Sequence, residues 1–433
     1  MQRNRFLTDM LSTIFDRRSV WSKEDDSRDI QQLCRALLSK EGDVSGQKIA
    51  TAILAQYRAL NDAEKLAFFE FLNAELDVDA ATLGALAKVY EESPTNDIFE
   101  KLSRAAEPKR QELLRRLNQP VGATADLVSM RVDLLKLTKS HKDLNRTNLD
   151  FVHLLRSWFN RGFLVLKQIN WDTPARVLDK IVAYEAVHEI DDLDDLRRRL
   201  DPPDRKCFAF FHPAMPDEPL IFVEVALTES VPGSIDDVLS EERQPLQAED
   251  AKVAVYYSIS NCQRGLAGIS FGNLLIKQVA AELAMEYPQI ESFVTLSPIP
   301  GLNNWLDTQM HDPEIAPLAR AVLDGTAHEH DVRAMAARYL ATAKRGETDQ
   351  PLDPVARFHL GNGAEIHDVH ANADSSENGR VQSSGAMVNY LYDLSQTEKN
   401  HENYARDGAI AASRTVNSLT TAAFITKPEE LTS

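Results

Sequence analysis

Cysteine is scarce in this 433-residue chain: Cys34, Cys207 and Cys262 are its three. They are too few and too scattered for a disulfide framework or a zinc knuckle, and a reducing compartment is the expectation. Long apolar runs are also missing, since none approaches the roughly 18 residues that span a bilayer. Positive charge is outnumbered: 48 Lys and Arg face 66 Asp and Glu, a net charge of −18. That balance argues against nucleic acid or an anionic membrane as the main partner, because both need clustered cations. It leaves open an anionic small molecule, for which a local basic or amide-lined pocket is enough. Missing as well are the Walker loop, the dinucleotide fingerprint and the Gly-x-Ser-x-Gly elbow of covalent serine hydrolases. The first 21 residues carry Arg3, Arg5, Arg17 and Arg18, but Asp9 and Asp16 interrupt the pattern of a transit peptide. The closing "EELTS" is not a peroxisomal address. A simple N-terminal helix in a cytoplasmic protein is the expectation.

What is present follows two grammars. From residue 29 to 159 helical periodicity runs almost unbroken, through "DIQQLCRALLSK", "QKIATAILAQYRAL", "DAEKLAFFEFLNAEL", "ADLVSMRVDLLKLTKSH" and "NLDFVHLLRSWF". Asn61 with Glu64 fits a capping box, and "SPTND" and "NQPVGATAD" punctuate the helices. Residues 1–158 are therefore read as a helical bundle serving packing or subunit contact. Beyond Arg161 strands alternate with helices: "FLVLKQI", a helix opened by Thr173-Pro174, the charged helix "DDLDDLRRRL", then the strands "CFAFFH", "LIFVEVAL" and "KVAVYYSI". The loop "SNCQRGLAGISFGN", the helix "LLIKQVAAELAMEY" and a strand ending in "FVTL" follow. Three consecutive strands indicate a mixed α/β domain and not a doubly wound one. It is read as residues 159–413, with the acidic surface connection "DDVLSEERQPLQAEDAK", helices over 307–346, and a Ser/Thr-rich tail at 414–433.

Three places can carry chemistry. In the first, a strand, a loop with Gly265, Gly268 and Gly272, and an amphipathic helix can aim backbone N–H groups at phosphate oxygens. Plain turn geometry is the alternative for the same glycines. The second is Ser297 in "VTLSPIPGLNNWL": Pro298 and Pro300 forbid the strand from continuing, so the hydroxyl is expected at a strand end facing a cleft. Without an elbow it is expected to orient a substrate and not to attack it. The third is "ARFHLGNGAEIHDVHANAD", where Gly361-Asn362-Gly363 would turn the chain and leave the His359 imidazole near a strand end. His359, His367 and His370 invite a metal, and a helix would put the last two on one face, yet the Gly, Asn and Asp around them argue against a long helix, no Cys or Glu stands at a ligand interval, and no metal is expected. Glu224, alternating with apolar neighbours in "FVEVAL", is expected to face outward or to support the site, and His212-Pro213 reads as a strand terminator.

Two resemblances sharpen these candidates. Gln263-Arg264-Gly265-Leu266-Ala267-Gly268 resembles the Gln/Arg-x-x-Gly-x-Gly/Ala loop with which GNAT-superfamily acetyltransferases bind the pyrophosphate of coenzyme A, with Leu266 where that family prefers Gly. The blocks "FFHPAMPDEPLIFVEVALT", "GLAGISFGNLLIKQV", "TLSPIPGLNNWL", "ARFHLGNGA" and "SSGAMVNYLYDL", over about residues 150–405, closely resemble malonyl-CoA decarboxylases. The resemblance implies a helical domain and a GNAT-like catalytic domain in an oligomer, commonly a tetramer. It implies decarboxylation of malonyl-CoA to acetyl-CoA and CO2 with no metal or prosthetic group. Ser297 and His359 then match the family's catalytic pair, and Ala267, Gly268, Ile269, Ser270, Phe271, Gly272 and Asn273 its CoA-binding loop. The polar run after Glu365, where the family often carries Asn-Trp, departs from the pattern near the acyl pocket.

The chemistry agrees with the resemblance. Loss of CO2 from a malonyl thioester leaves an enolate that the thioester carbonyl already delocalises, so no further electron sink is required. The tasks left are to hold the C–C bond across the thioester plane, to stabilise oxyanion charge and to protonate the α-carbon. A His with a pKa near neutrality suits the last. Whether Ser297 donates a hydrogen bond or accepts a proton stays open. Two other readings stand beside this one: an acyl-CoA transferase using Glu224 or Tyr256 as general base, and a CoA-sensing scaffold indifferent to His359. Asn389 and Tyr390 are either packing and backbone capping or substrate contacts.

Overall fold

The computed structural model describes residues 27–269, 272–346 and 348–422, so the helix expected in the first 21 residues lies outside the described residues. The chain divides into two compact units. One comprises the chain up to Val165 together with two later segments, 211–220 and 263–271. The other comprises 166–210, 221–262 and the chain from Gly272 onward.

The first unit is helical: α1 (Ile30–Leu37), α2 (Lys40–Ala59), α3 (Asp62–Glu75), α4 (Ala80–Glu92), α5 (Asn96–Ala106), α6 (Lys109–Leu117), α7 (Ala123–Leu137) and α8 (Asn145–Trp158). Its helix starts are written locally. Asn61 accepts from the Glu64 amide while the Glu64 carboxylate accepts from the Asn61 amide, and Asp29 with Gln32 does the same for α1. Leu33, Leu37, Ile53, Phe68, Phe69, Leu113, Leu127, Leu134 and Phe151 are buried in its core, each contributing about 1.5–3 kcal/mol. Arg110 is buried too, paired with Asp77 and Asp150. The exception is the pair α4 and α5, in which no residue is buried.

The second unit is mixed. Its elements are β1 (Val165–Ile169), α9 (Ala175–Tyr184), α10 (Leu193–Leu200), β2 (Arg205–Phe211), β3 (Ile221–Thr228), α11 (Ile235–Leu239), β4 (Val253–Asn261), α12 (Gly272–Glu286), β5 (Ser292–Thr295) and β6 (Ser297–Pro298). There follow α13 (Leu302–Thr308), α14 (Ala316–Leu323), α15 (Glu329–Thr342), α16 (Pro354–Leu360), β7 (Glu365–His370), α17 (Glu377–Ser383), β8 (Met387–Leu391), α18 (Thr397–Asp407) and α19 (Arg414–Ala422). The sheet runs β1-β2-β3-β4-β5-β8-β6, with β7 on β8. β2, β3 and β4 form an antiparallel meander, whereas β4 and β5 are parallel from Val253↔Ser292 to Tyr256↔Thr295. A parallel pair needs a crossover, and the glycine-bearing loop with α12 supplies it. This is the mixed α/β domain that the sequence led us to expect.

β4 continues to Asn261, but its ladder with β5 stops at Thr295. There the chain changes partner. Val294 pairs Leu391, Ser297 pairs Val388 and Pro298 pairs Met387, all on β8. The prolines therefore do not end the sheet at Ser297; they reduce its continuation to two residues, because Pro has no N–H for the ladder. Elsewhere the acidic connection carries α11, and the segment from Arg414 begins as helix α19, with the Ser413 hydroxyl accepting from the Val416 amide at 3.2 Å. A buried cluster of Val255, Tyr257, Val294, Leu296, Ala373 and Met387 packs against the strands at this switch.

Candidate active site

Ser297 is held on β6, and its hydroxyl donates to Thr295 Oγ1 at 2.9 Å. His359 lies in the last turn of α16, a helix started by Asp353, whose Oδ1 accepts from the amides of Val355 (2.9 Å) and Ala356 (2.8 Å) ahead of Pro354 at the first turn. The imidazole is thus on a helix end and not at a strand end as the sequence suggested. Fold topology brings the two together: Ser297 Oγ is 3.3 Å from His359 Nε2. Neither faces an open cleft, since Ser297 is 6% exposed and His359 3%.

The ring is fixed on every side. Tyr390 stacks on it with centroids 4.5 Å apart and planes 21° off parallel, and the Tyr392 hydroxyl lies 2.8 Å from Nδ1. Because Ser297 spends its proton on Thr295, its oxygen is free to accept Nε2–H. Nδ1 is then the unprotonated nitrogen and accepts from Tyr392. Burial pushes the His359 pKa down to about 3, so the ring is neutral in the free protein instead of poised near pH 7. Burial likewise raises the Tyr392 phenol. Tyr392 also borders a cavity of about 180 Å³ walled by Ile276, Lys277 and Ala280 of α12 and by Leu394, Thr397 and Glu398.

Three residues of this constellation escape the sequence reading. Tyr392 has a signal, the two-residue spacing from Tyr390 along a strand, which puts both rings on one face. Asp353 has one as well, Asp-Pro at a helix start. Thr295 has none beyond its own spacing from Ser297.

The glycine-bearing loop belongs to the helical unit. Arg264–Leu266 makes a single 3₁₀ turn, Gly265 and Leu266 are buried, and Ala267 and Gly268 turn the chain outward. An added Cβ at Gly265 would lie 2.0 Å from the Val128 carbonyl oxygen of α7, so only glycine permits this approach. Ile269 closes the described part with its amide on Leu266 O. Ser270 and Phe271 lie outside the described residues, and Gly272 and Asn273 open α12.

Residues 76–159 match the malonyl-CoA decarboxylase N-terminal domain, and residues 162–430 match the malonyl-CoA decarboxylase C-terminal domain. The chain belongs to the malonyl-CoA decarboxylase family. It is 35% identical over 348 residues to the mitochondrial malonyl-CoA decarboxylase of Anser anser anser, which covers 71% of this chain and 69% of that protein. Identity to the Mus musculus enzyme is 33% over 361 residues, 74% and 73% of the two chains. The solved malonyl-CoA decarboxylase from Rhodopseudomonas palustris is 48% identical, with a TM-score of 0.83 over 90% of this chain and 98% of its own. That from Agrobacterium vitis is 46% identical, with a TM-score of 0.85 over 90% and 99%.

In this member of the family the remaining candidates have structural partners. Glu224 does not face outward: it is fully buried, 3.3 Å from Arg199, and burial with Glu185 nearby pushes its pKa up to about 8. Tyr256 is buried with its hydroxyl toward Ile276 O. His212 ends β2 by accepting from the Ala214 amide and bonding Trp158 O, and it packs on Phe159. Asn389 donates to Thr295 O and contacts His370, a backbone-capping arrangement. His367 and His370 lie on strand β7, not on a helix, and among the described residues no three His, Cys, Asp or Glu side chains are placed to hold a metal ion. All three cysteines are free and buried. Among the described residues no helix is long and apolar enough to cross a membrane.

Proposed function

We propose that this chain decarboxylates malonyl-CoA to acetyl-CoA and CO2 with Ser297 and His359 as its catalytic residues. The reading rests on one observation: Ser297 Oγ meets His359 Nε2 at 3.3 Å in a buried setting, with Tyr392 on the opposite ring nitrogen. Heterolysis sends the C–C electron pair into the thioester carbonyl and releases neutral CO2. The Ser297 hydroxyl, turning from Thr295 to the malonyl group, holds the breaking bond across the thioester plane, where it overlaps the carbonyl π system. His359 Nε2–H donates to the enolate, and its proton then passes to the α-carbon. Neutral imidazole is a stronger acid than a thioester α-carbon, so no imidazolium is needed, and solvent returns the proton after product leaves.

The partner on Nδ1 is a phenol and not a carboxylate, so the pair lacks the third member that activates a serine nucleophile. That favours Ser297 as a hydrogen-bonding group. Ala267, Gly268, Ile269, Ser270, Phe271, Gly272 and Asn273 are assigned to the CoA moiety, and the thioester itself serves as electron sink without a further cofactor. Self-association as a dimer or tetramer fits the helix pair α4 and α5, which buries no residue and exposes Val89 and Phe99. A cytoplasmic location completes the proposal.

The test is acetyl-CoA and CO2 formation from malonyl-CoA with no acyl acceptor. Loss of one placed donor lowers turnover by roughly 10²- to 10³-fold, the range expected for Ser297→Ala and His359→Asn. Turnover near the parent value in both would sink the assignment. A requirement for an acceptor would favour a transferase, and CoA binding without turnover a sensing scaffold.

A further inference from the structure

We infer that Arg131, on α7 of the helical unit, is a positioning residue for the phosphate end of the substrate: gripping two carbonyls of the glycine-bearing loop, it turns the Gly268 N–H outward as an anion donor. Arg131 is 2% exposed, and its guanidinium donates to Gly265 O at 2.6 Å, Ala267 O at 2.9 Å and Asn148 Oδ1 at 3.1 Å. None of these partners is a carboxylate, although a buried cation ordinarily takes one. Arg156 of α8 adds a second cation, 3.4 Å from Gly268 O. The loop thus rests on positive charge that the protein leaves uncompensated by an acid at this contact.

Peptide geometry converts that grip into a direction. In a trans peptide the C=O and the following N–H point opposite ways, and there are no cis bonds among the described residues. With the Ala267 carbonyl drawn in to Arg131, the Gly268 N–H must point away from α7. The amides of Leu266, Ala267 and Ile269 are satisfied inside the loop by Gln263, Arg264 and Leu266 carbonyls, whereas the Gly268 amide makes no hydrogen bond among the described residues. Gly268 has φ +79°, a conformation that favours glycine, it is exposed, and an added Cβ there would meet no atom within 4 Å among the described residues beyond its chain neighbours. An outward amide backed by a guanidinium is a seat for a phosphate oxygen.

The inference rests on the reading of this loop as the CoA site. The experiment compares malonyl-CoA with malonyl-pantetheine, which carries the same thioester and no pyrophosphate, across the parent chain, Arg131→Lys and Asn148→Ala. Lysine keeps the charge but loses the planar fork that holds two carbonyls. For Arg131→Lys the KM for malonyl-CoA should rise about tenfold with kcat within about twofold, while KM for malonyl-pantetheine stays within about twofold. Asn148→Ala, which frees the guanidinium on one side, should shift the same KM in the same direction by less, and it decides the matter if Arg131→Lys does not fold. Equal losses on both substrates, or an unchanged KM for malonyl-CoA, would overturn the role of Arg131. A parent chain that uses both substrates with the same KM would overturn the loop reading beneath it.

Discussion

Replacing Tyr392 by Phe removes one oxygen and keeps the ring that packs beside His359. The lost contact is the 2.8 Å hydrogen bond to Nδ1, in a place where Tyr392 is 2% exposed. A buried acceptor left without its donor costs about 1–3 kcal/mol. The imidazole escapes that cost by moving its proton from Nε2 to Nδ1 or by rotating, and in either case Nε2–H no longer points at Ser297. At about 1.4 kcal/mol per factor of ten, the productive arrangement is depleted roughly 5- to 150-fold. The expected outcome in a steady-state acetyl-CoA assay is a kcat reduced by about that factor, with KM changed less than about twofold, because the hydroxyl acts through His359. A thermal melt run alongside reports the accompanying destabilisation. A kcat within twofold of the parent, in a variant that melts normally, would refute the claim that Tyr392 sets the His359 tautomer.

Other perturbations follow from burial and capping. His359 is held at about 3 against 6.5 when unfolded, so its contribution to stability is complete above pH 6.5 and is lost as pH falls toward 3. By pH 5 this amounts to about 2 kcal/mol, and denaturant melts at pH 7 and 5 should show a smaller decline for His359→Asn than for the parent. Glu224 behaves oppositely: raised from 4.5 to about 8, it favours the fold below 4.5 and progressively less as pH rises through 8. Glu224→Gln should flatten the stability profile between pH 5 and 8.5, and an unchanged slope would argue against a buried neutral carboxyl. Asp353→Ala removes the acceptor of the Val355 and Ala356 N–H hydrogen bonds at the start of α16 and should cost about 1–2 kcal/mol in a denaturant titration while also lowering kcat. Gly265→Ala drives a Cβ into the Val128 carbonyl and should raise KM for malonyl-CoA as the loop shifts.

What the sequence made legible and what it hid divide along physical lines. Local signals read well: the Asn61–Glu64 capping box and the three consecutive strands appear where pattern placed them, whereas the expected stop at Ser297 became a two-residue continuation on β8. The pairing of Ser297 with His359 came from motif resemblance, and the contact across 62 residues agrees with it. Properties that depend on what packs around a residue did not read. Alternation in "FVEVAL" suggested an outward Glu224, but β3 is buried nearly throughout, and a strand covered on both faces carries no inside–outside code. His359 was placed by its glycine turn, yet the seven-residue helix that carries it is too short for periodicity to announce. Its neutrality is a property of the side chains packed around the ring, which no window of sequence contains. Arg131 sits among ordinary helical positions and gives no sign that two of its partners, Gly265 and Ala267, lie more than a hundred residues away.

The membership of residues 263–271 in the helical unit bears on how such a protein can be divided or inherited. Cleaved near residue 160, the C-terminal fragment would keep Ser297, His359 and every atom of its loop, but the loop would have lost the arginine and the helix backbone against which it is shaped. Neither half is a portable module. A lineage that exchanged one without the other would keep the ability to break a carbon–carbon bond while forgetting which handle the substrate is held by.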